Sequence, residues 1–143
     1  MASPEMRISQ RLDFSLRLLI ALAQQPPDTV IGAGELAQRL GLPRRFLELQ
    51  ATALAKRGLL LCRRGTGGGC ALARPAEETS LADIVRAVEG TVFDAPMGSG
   101  LASAEAWQSA GATLEAHFAS ITLAALAARQ DALDADRAPM YFI

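Results

Sequence analysis

Cysteine and histidine are scarce in this chain of 143 residues, which has two of the first and one of the second. With no CxxC spacing among them, they offer neither a disulfide scaffold nor a zinc site. Aromatic residues make up only 5%, so a core has to be built from Leu, Ala, Ile and Val. No stretch approaches the roughly 20 apolar residues that cross a bilayer. The longest run, Leu18 to Ala23, reads as part of a core helix. A basic segment followed by an apolar run and a small-residue cleavage site is also missing, so no secretory leader is expected and a reducing cytoplasm is the expected setting. The same scarcity argues against an enzyme. His117 is the one histidine, no metal-ligand cluster or nucleophile motif is present, and Asp94 has no evident partner.

Positive charge is present, and it is concentrated. Between Arg39 and Arg74 eight Lys or Arg residues face a single acid, Glu48, a net of +7 in a chain whose total is −1. A nearly neutral protein that gathers its cations on one segment presents a landing site for a polyanion. Residues 1–90 carry +3 and residues 91–143 carry −4, so the first part suits DNA and the second suits pairing with protein.

Apolar spacing and turn residues set out the elements. Phe14, Leu18 and Leu22 repeat every fourth residue, which predicts a helix from about Ser9 to Gln24, ended by Pro26-Pro27. A short helix over 33–40 follows. Gly41-Leu42-Pro43 then makes a turn with proline at the first position of a third helix, which runs to Arg57 and is capped by Gly58. Two short strands, residues 59–62 and 70–72, enclose the glycine-rich loop Arg63 to Gly69. Thr79 or Ser80 caps a helix ending at Gly90, with Asp83 favouring its dipole. Residues 91–104 read as a loop. One long helix is expected over 105–128, because Trp107, Leu114, Phe118, Ile121, Ala125 and Ala128 step by sevens, fours and threes. That seam predicts a homodimer, with residues 129–143 as a tail. The fold expected is mainly α with a small β-hairpin: a winged helix-turn-helix over 1–90, followed by a long dimerisation helix.

A helix-turn-helix lays its second helix in the major groove, N-terminal turn nearest the bases. Arg44, Arg45 and Glu48 stand there. Arginine can bond guanine O6 and N7, and glutamate can accept from cytosine N4; the plainer alternative is an arginine–Glu48 surface ion pair. Lys56 and Arg57, at the far end of the helix, suit phosphates. Arg63 and Arg64 lead into Gly65, Gly67 and Gly68, a loop slim enough to reach the backbone or a minor groove. It lacks the lysine and Ser/Thr of a P-loop, and no helix follows it.

Three strings together resemble the Rrf-two family of winged-helix regulators: Gly58-Leu59-Leu60, Arg64-Gly65-Thr66-Gly67-Gly68-Gly69 and Leu72-Ala73-Arg74-Pro75. Residues Leu81 to Gly90 add to the likeness, which begins at Met6-Arg7 and returns at Trp107 and Ser120 to Leu123. Members include an iron–sulfur cluster regulator, a nitric-oxide-sensing repressor and a cysteine-metabolism repressor. The resemblance implies a dimer whose long C-terminal helices cross, and it makes Glu48 a base-reading acid; the function expected is a homodimeric, sequence-specific transcriptional regulator, a repressor that occupies double-stranded DNA. Leu49 stands where a glutamine is usual, and Asp13 where a basic residue is common. Many members hold an iron–sulfur cluster through three cysteines in the loop before the dimer helix. Residues 91–106 of this chain contain none, so a cluster-free branch, with no cofactor or metal, is expected.

Two sources of a signal follow from the residues. Cys62 and Cys70 flank the wing loop symmetrically about Thr66, so an in-register hairpin sets them opposite each other as a redox pair; Cys70 also replaces the family's usual wing tyrosine. The alternative is that both are small hydrophobes. A cleft near Phe93, Met97 and Trp107 could take a small molecule. The rival to a DNA-binding role is a protein–protein adaptor, since winged helices also serve as interaction modules.

Overall fold

The computed structural model describes residues 6–96 and 98–137. Six helices and one antiparallel hairpin follow in the order α1 (Gln10–Ala23), α2 (Ala33–Leu40), α3 (Arg44–Lys56), β1 (Leu60–Arg63), β2 (Gly69–Leu72), α4 (Leu81–Glu89), α5 (Ala102–Ala119) and α6 (Leu123–Arg137). A single 3₁₀ turn, Ala76–Glu78, joins the hairpin to α4.

Local chemistry accounts for each boundary in the first part of the chain. The Ser9 hydroxyl accepts from the Leu12 amide at 3.0 Å and starts α1. Gly41 adopts φ 66°, and the amides of Gly41 and Leu42 close back on Gln38 and Ala37 to finish α2. Gly58, at φ 79°, ends α3 through the same pair of bonds, from Gly58 and Leu59 to Ala55 and Leu54. Pro43 stands one place earlier than the sequence suggests, as the residue before α3 rather than its first. Ser80 and Asp83 form a reciprocal capping box at the start of α4, both bonds at 3.0 Å.

The core lies where α1, α2, α3 and α4 meet the inner face of the hairpin. Leu18, Leu19, Leu36, Leu47, Leu54, Leu60, Ile84 and Leu123 are all fully buried. Leu47, Ala51 and Leu54 are the inward stripe of α3, which leaves its opposite face free. Phe46 sits edge-on to Phe14 with ring centroids 5.5 Å apart, fixing the first turn of α3 against α1.

The C-terminal part departs from the expected single helix over 105–128. The chain breaks at Ser120–Thr122, where Thr122 bridges to Ser80, the Leu81 amide donates to Ile121 and the Leu123 amide donates to Thr79. Those bonds to the α4 entry replace helical ones, so the seam is divided. Trp107, Leu114 and Phe118 lie on α5, Ile121 lies in the break, and Ala125 and Ala128 lie on α6. Residues 129–137, expected as a tail, continue α6, which packs along α1; the Gln24 amide donates to Asp131 at 2.8 Å and Asp134 at 3.0 Å. The last six residues lie outside the described part. In α5, by contrast, Ala104 is the sole buried residue.

Candidate nucleic-acid interface

The free face of α3 and the hairpin wing border one cleft of about 610 Å³, lined by Arg44, Glu48, Thr52, Cys62, Arg63 and Arg64 among others. Stepping about 100° per residue round a helix, Arg45, Leu49, Thr52 and Lys56 all project away from the buried stripe; all four are exposed. The wing brings Arg63 and Arg64 to the other side of the cleft, also exposed. Among the described residues, no hydrogen bond or ion pair occupies Arg45, Lys56, Arg63 or Arg64. Two unpaired cations on the outer face of α3 and two lining the cleft from the wing leave their charge available to an anionic polymer.

Arg44 behaves differently. Its Nε donates to Glu48 Oε1 at 2.9 Å, and its guanidinium lies across Gly34, where an added Cβ would be 3.5 Å from Nη1. The ion-pair alternative is thus the geometry present in the free chain. Arg57 is also engaged: it donates to the Val88 carbonyl at 3.1 Å, and Arg11 reaches the same carbonyl at 3.4 Å and Glu89 at 3.2 Å. Both arginines serve the C-terminus of α4, where cations complement the helix dipole, so part of the donor capacity of Arg57 is already spent within the chain. The sequence signal for this was the end of α4 at Glu89-Gly90, but its pairing with α3 is long-range.

The wing owes its slimness to glycine. The Gly68 amide closes a turn onto the Gly65 carbonyl at 2.9 Å. A Cβ on Gly68 would stand 2.4 Å from the Arg63 carbonyl oxygen, and one on Gly69 would stand 2.3 Å from the Ile31 carbonyl oxygen. No side chain fits either place. Ile31 adds a third, one-residue rung to the hairpin by exchanging backbone bonds with Cys70 at 2.8 and 2.9 Å. Cys62 and Cys70 occupy facing positions, as the symmetry of the loop predicts. The thiol of Cys70 is pushed up to about 12, first by burial and then by its hydrogen bond to Cys62.

Phe93, Trp107 and Gly111 border a second cleft of about 430 Å³ between α5 and the chain leaving α4. Met97, expected beside it, lies outside the described residues. Arg86 pairs with Glu115 at its edge. Trp107 is 47% exposed there, and no polar constellation identifies a ligand.

Known proteins share this arrangement. The chain is 33% identical over 131 residues to a protein of Mycobacterium tuberculosis named as an HTH-type transcriptional regulator, Rv1287, covering 85% of this chain and 81% of that one. CymR, the global cysteine regulator of B. subtilis, superposes with a TM-score of 0.77 at 25% identity, covering 87% of this chain and 98% of that one. T. potens IscR gives a TM-score of 0.71 at 28% identity, covering 91% and 90%. Residues 8–129 match the family described as "Rrf2: Iron-dependent Transcriptional regulator".

The word iron in that description can be tested against the donors present. Both cysteines of the chain lie in the wing, and residues 91–106 hold none. Among the described residues, no group of three or more His, Cys, Asp or Glu side chains converges. Two wing thiols do not supply the thiolate set of an iron–sulfur cluster, so the residues do not fit one. Among the described residues no helix is long and apolar enough to cross a membrane. The family match over residues 8–129, on a fold shared with CymR and IscR, establishes that the chain belongs to the Rrf2 family and is a DNA-binding transcriptional regulator, not an enzyme.

Proposed function

We propose that the protein acts as a homodimeric repressor that reads a specific operator without an iron–sulfur cluster. The observation that carries the reading is a set of exposed, unpaired cations on adjoining surfaces: Arg45 and Lys56 on the outer face of α3, and Arg63 and Arg64 on the wing, where they line the cleft beside that helix. The N-terminal turn of α3, with Arg44, Arg45 and Glu48, enters a major groove. The wing, slim at Gly65, Gly67 and Gly68, follows the adjacent backbone. Lys56 meets phosphate. Occupying a promoter in this way excludes other proteins from it.

The dimer reading rests on α5. Eighteen residues that bury only Ala104 leave most of the helix uncovered, and Trp107, Leu114 and Phe118 lie on it. A second copy would cover them, with Ile121 and Ala125 extending the contact beyond the break. The cluster-free reading rests on the donor set alone, and the signal is a small molecule near Phe93 and Trp107 or a change at the wing thiols.

The test is a selection of genomic fragments by the reduced protein at about physiological salt, where non-specific binding is weak. A palindromic motif with half-sites one helical turn apart, or a multiple of it, is expected. Recovery of nothing above background would favour the adaptor. Sedimentation of wild type and Trp107→Glu addresses the dimer: the wild type should run as two copies and the variant as one.

A further inference from the structure

The wing holds both thiols of the chain in direct opposition, Cys62 on β1 against Cys70 on β2. A strand residue sends its N–H and C=O to the same side. Those of Cys70 are both taken by Ile31 on the side away from β1, at 2.8 and 2.9 Å. Cys62–Cys70 is therefore a non-hydrogen-bonded pair, the closer of the two antiparallel types, with Cα atoms about 4.5 Å apart. That spacing falls within the range a disulfide spans. Facing residues of such a pair project their side chains from the same face of the hairpin. Their surroundings differ: Cys62 is exposed and Cys70 is buried. Both open onto the cleft between α3 and the wing, beside Ala51 and Ala55.

We infer that Cys62 and Cys70 form a reactive dithiol that a hydroperoxide closes into a cross-strand disulfide, and that closure weakens the hold of the wing on DNA. The inference rests on the DNA-reading function proposed above and adds its regulation. In the first step the exposed Cys62 sulfur attacks the peroxide oxygen. The O–O bond breaks, Cys62 is oxidised to the sulfenic acid and the peroxide is reduced to an alcohol, or to water from hydrogen peroxide. In the second step the Cys70 sulfur displaces that hydroxyl. Its own proton leaves with the hydroxyl as water, and the S–S bond forms. The division of labour follows from the burial: the accessible sulfur meets the oxidant, and the sheltered one resolves the product. Among the described residues no third donor converges on the pair, so a closed metal site is not the alternative.

The effect on DNA follows from what adjoins the pair. Arg63 and Arg64 come directly after Cys62, and the turn closed by Gly68 begins at Gly65. A bond between the strands fixes the distance and twist at the base of that turn, and removes the adjustments by which the wing arginines follow a phosphate backbone.

The experiment uses the full chain, reduced and then treated with hydrogen peroxide, with intact mass and binding to a duplex from the genomic selection as readouts. Expected are a loss of two hydrogens, at least tenfold weaker binding, and recovery of both by dithiothreitol. Cys62→Ser should show neither change; its position is exposed, so it keeps the core intact even where Cys70→Ala disturbs packing. In Cys70→Ala a sulfenic acid on Cys62 should accumulate and be trapped by dimedone. Oxidation of Cys62 to sulfinic or sulfonic acid in the wild type, or a disulfide between two chains, would overturn the dithiol. A disulfide within the chain with unchanged DNA affinity would overturn its regulatory role. A reduced protein that selects no DNA would remove the proposed function and its regulation together, while the mass still decides whether the dithiol closes.

Discussion

Arg44 and Glu48, one turn apart on α3, are joined at 2.9 Å with both side chains more than half exposed. An exposed pair at this spacing contributes on the order of 0.3–0.5 kcal/mol, too little to hold the fold. Its consequence is for the bound state. The only acid of the recognition helix is neutralised by an arginine that could otherwise reach a base. Arg44→Glu places two acids at the groove and is expected to abolish operator binding while leaving the thermal midpoint within about 2 °C of wild type. Arg44→Ala should weaken binding at least tenfold, and adding Glu48→Gln to it should recover part of the loss by removing the unmasked charge. Fluorescence anisotropy with circular dichroism melting checks both. Wild-type affinity in Arg44→Glu would mean that α3 does not read the groove.

Gly67, Gly68 and Gly69 make different demands. An alanine at Gly67, where φ is 77° and nothing lies within 4 Å, meets only backbone strain of about 1 kcal/mol. At Gly68 the new methyl meets the Arg63 and Gly65 carbonyl oxygens at 2.4 and 2.8 Å, and backbone cannot move aside as a flexible side chain can. Gly68→Ala is therefore expected to open the turn and lower DNA affinity, with a small effect on the core. At Gly69 the clash falls on Ile31 and breaks its rung with Cys70, so Gly69→Ala should cost more than about 2 kcal/mol of global stability. Urea unfolding of the three variants should give that order, and equal losses at all three would refute it.

The elements up to Gly90 were legible because short-range chemistry sets their ends. Ser9, Gly41, Gly58 and the Ser80–Asp83 box act within four residues of themselves, and the symmetry of the wing about Thr66 gave the Cys62–Cys70 register. The break at Ser120–Thr122 was not legible, because the alanine-rich apolar rhythm passes straight through it. What stops the helix is remote: Thr79, Ser80 and Leu81 take over the hydrogen bonding. A local clue existed in Thr122, whose hydroxyl accepts from the Ala125 amide at 3.1 Å as a helix cap does. The same limit explains Arg57, which suits phosphate by position on α3 but is claimed by the end of α4.

Leu49 is 57% exposed on the face of α3 that also carries Arg45 and Lys56. A leucine there gains nothing from the core. The apolar feature that a major groove offers is the thymine methyl. In the selected operator, replacing thymine by uracil at the contacted position removes that methyl alone and should weaken wild-type binding about three- to tenfold. Leu49→Ala should bind both duplexes alike. A wild type indifferent to uracil at every operator position would dismiss the contact.

Burial of Cys70 also has a consequence for stability at alkaline pH. Its thiol is raised from an ordinary 9.0 to about 12 in the folded chain. A thiol is charged when it loses its proton, so the folded state holds the proton more tightly than the unfolded one does. Unfolding then releases a proton wherever the pH lies between the two values, and stability falls as pH rises. The contribution is fully present below about pH 9 and is lost as pH climbs towards 12. Because other groups titrate in that range, the informative quantity is the difference between wild type and Cys70→Ala under reducing conditions. Alanine lacks the proton, so the gap in unfolding free energy between the two proteins should narrow steadily from pH 9 to pH 11. Alkylation gives an independent reading: at pH 8 iodoacetamide should modify the exposed Cys62 and leave Cys70 intact until the chain is unfolded. A gap that stays constant across the range, or equal labelling of both thiols, would show that Cys70 is not sheltered as the hairpin places it.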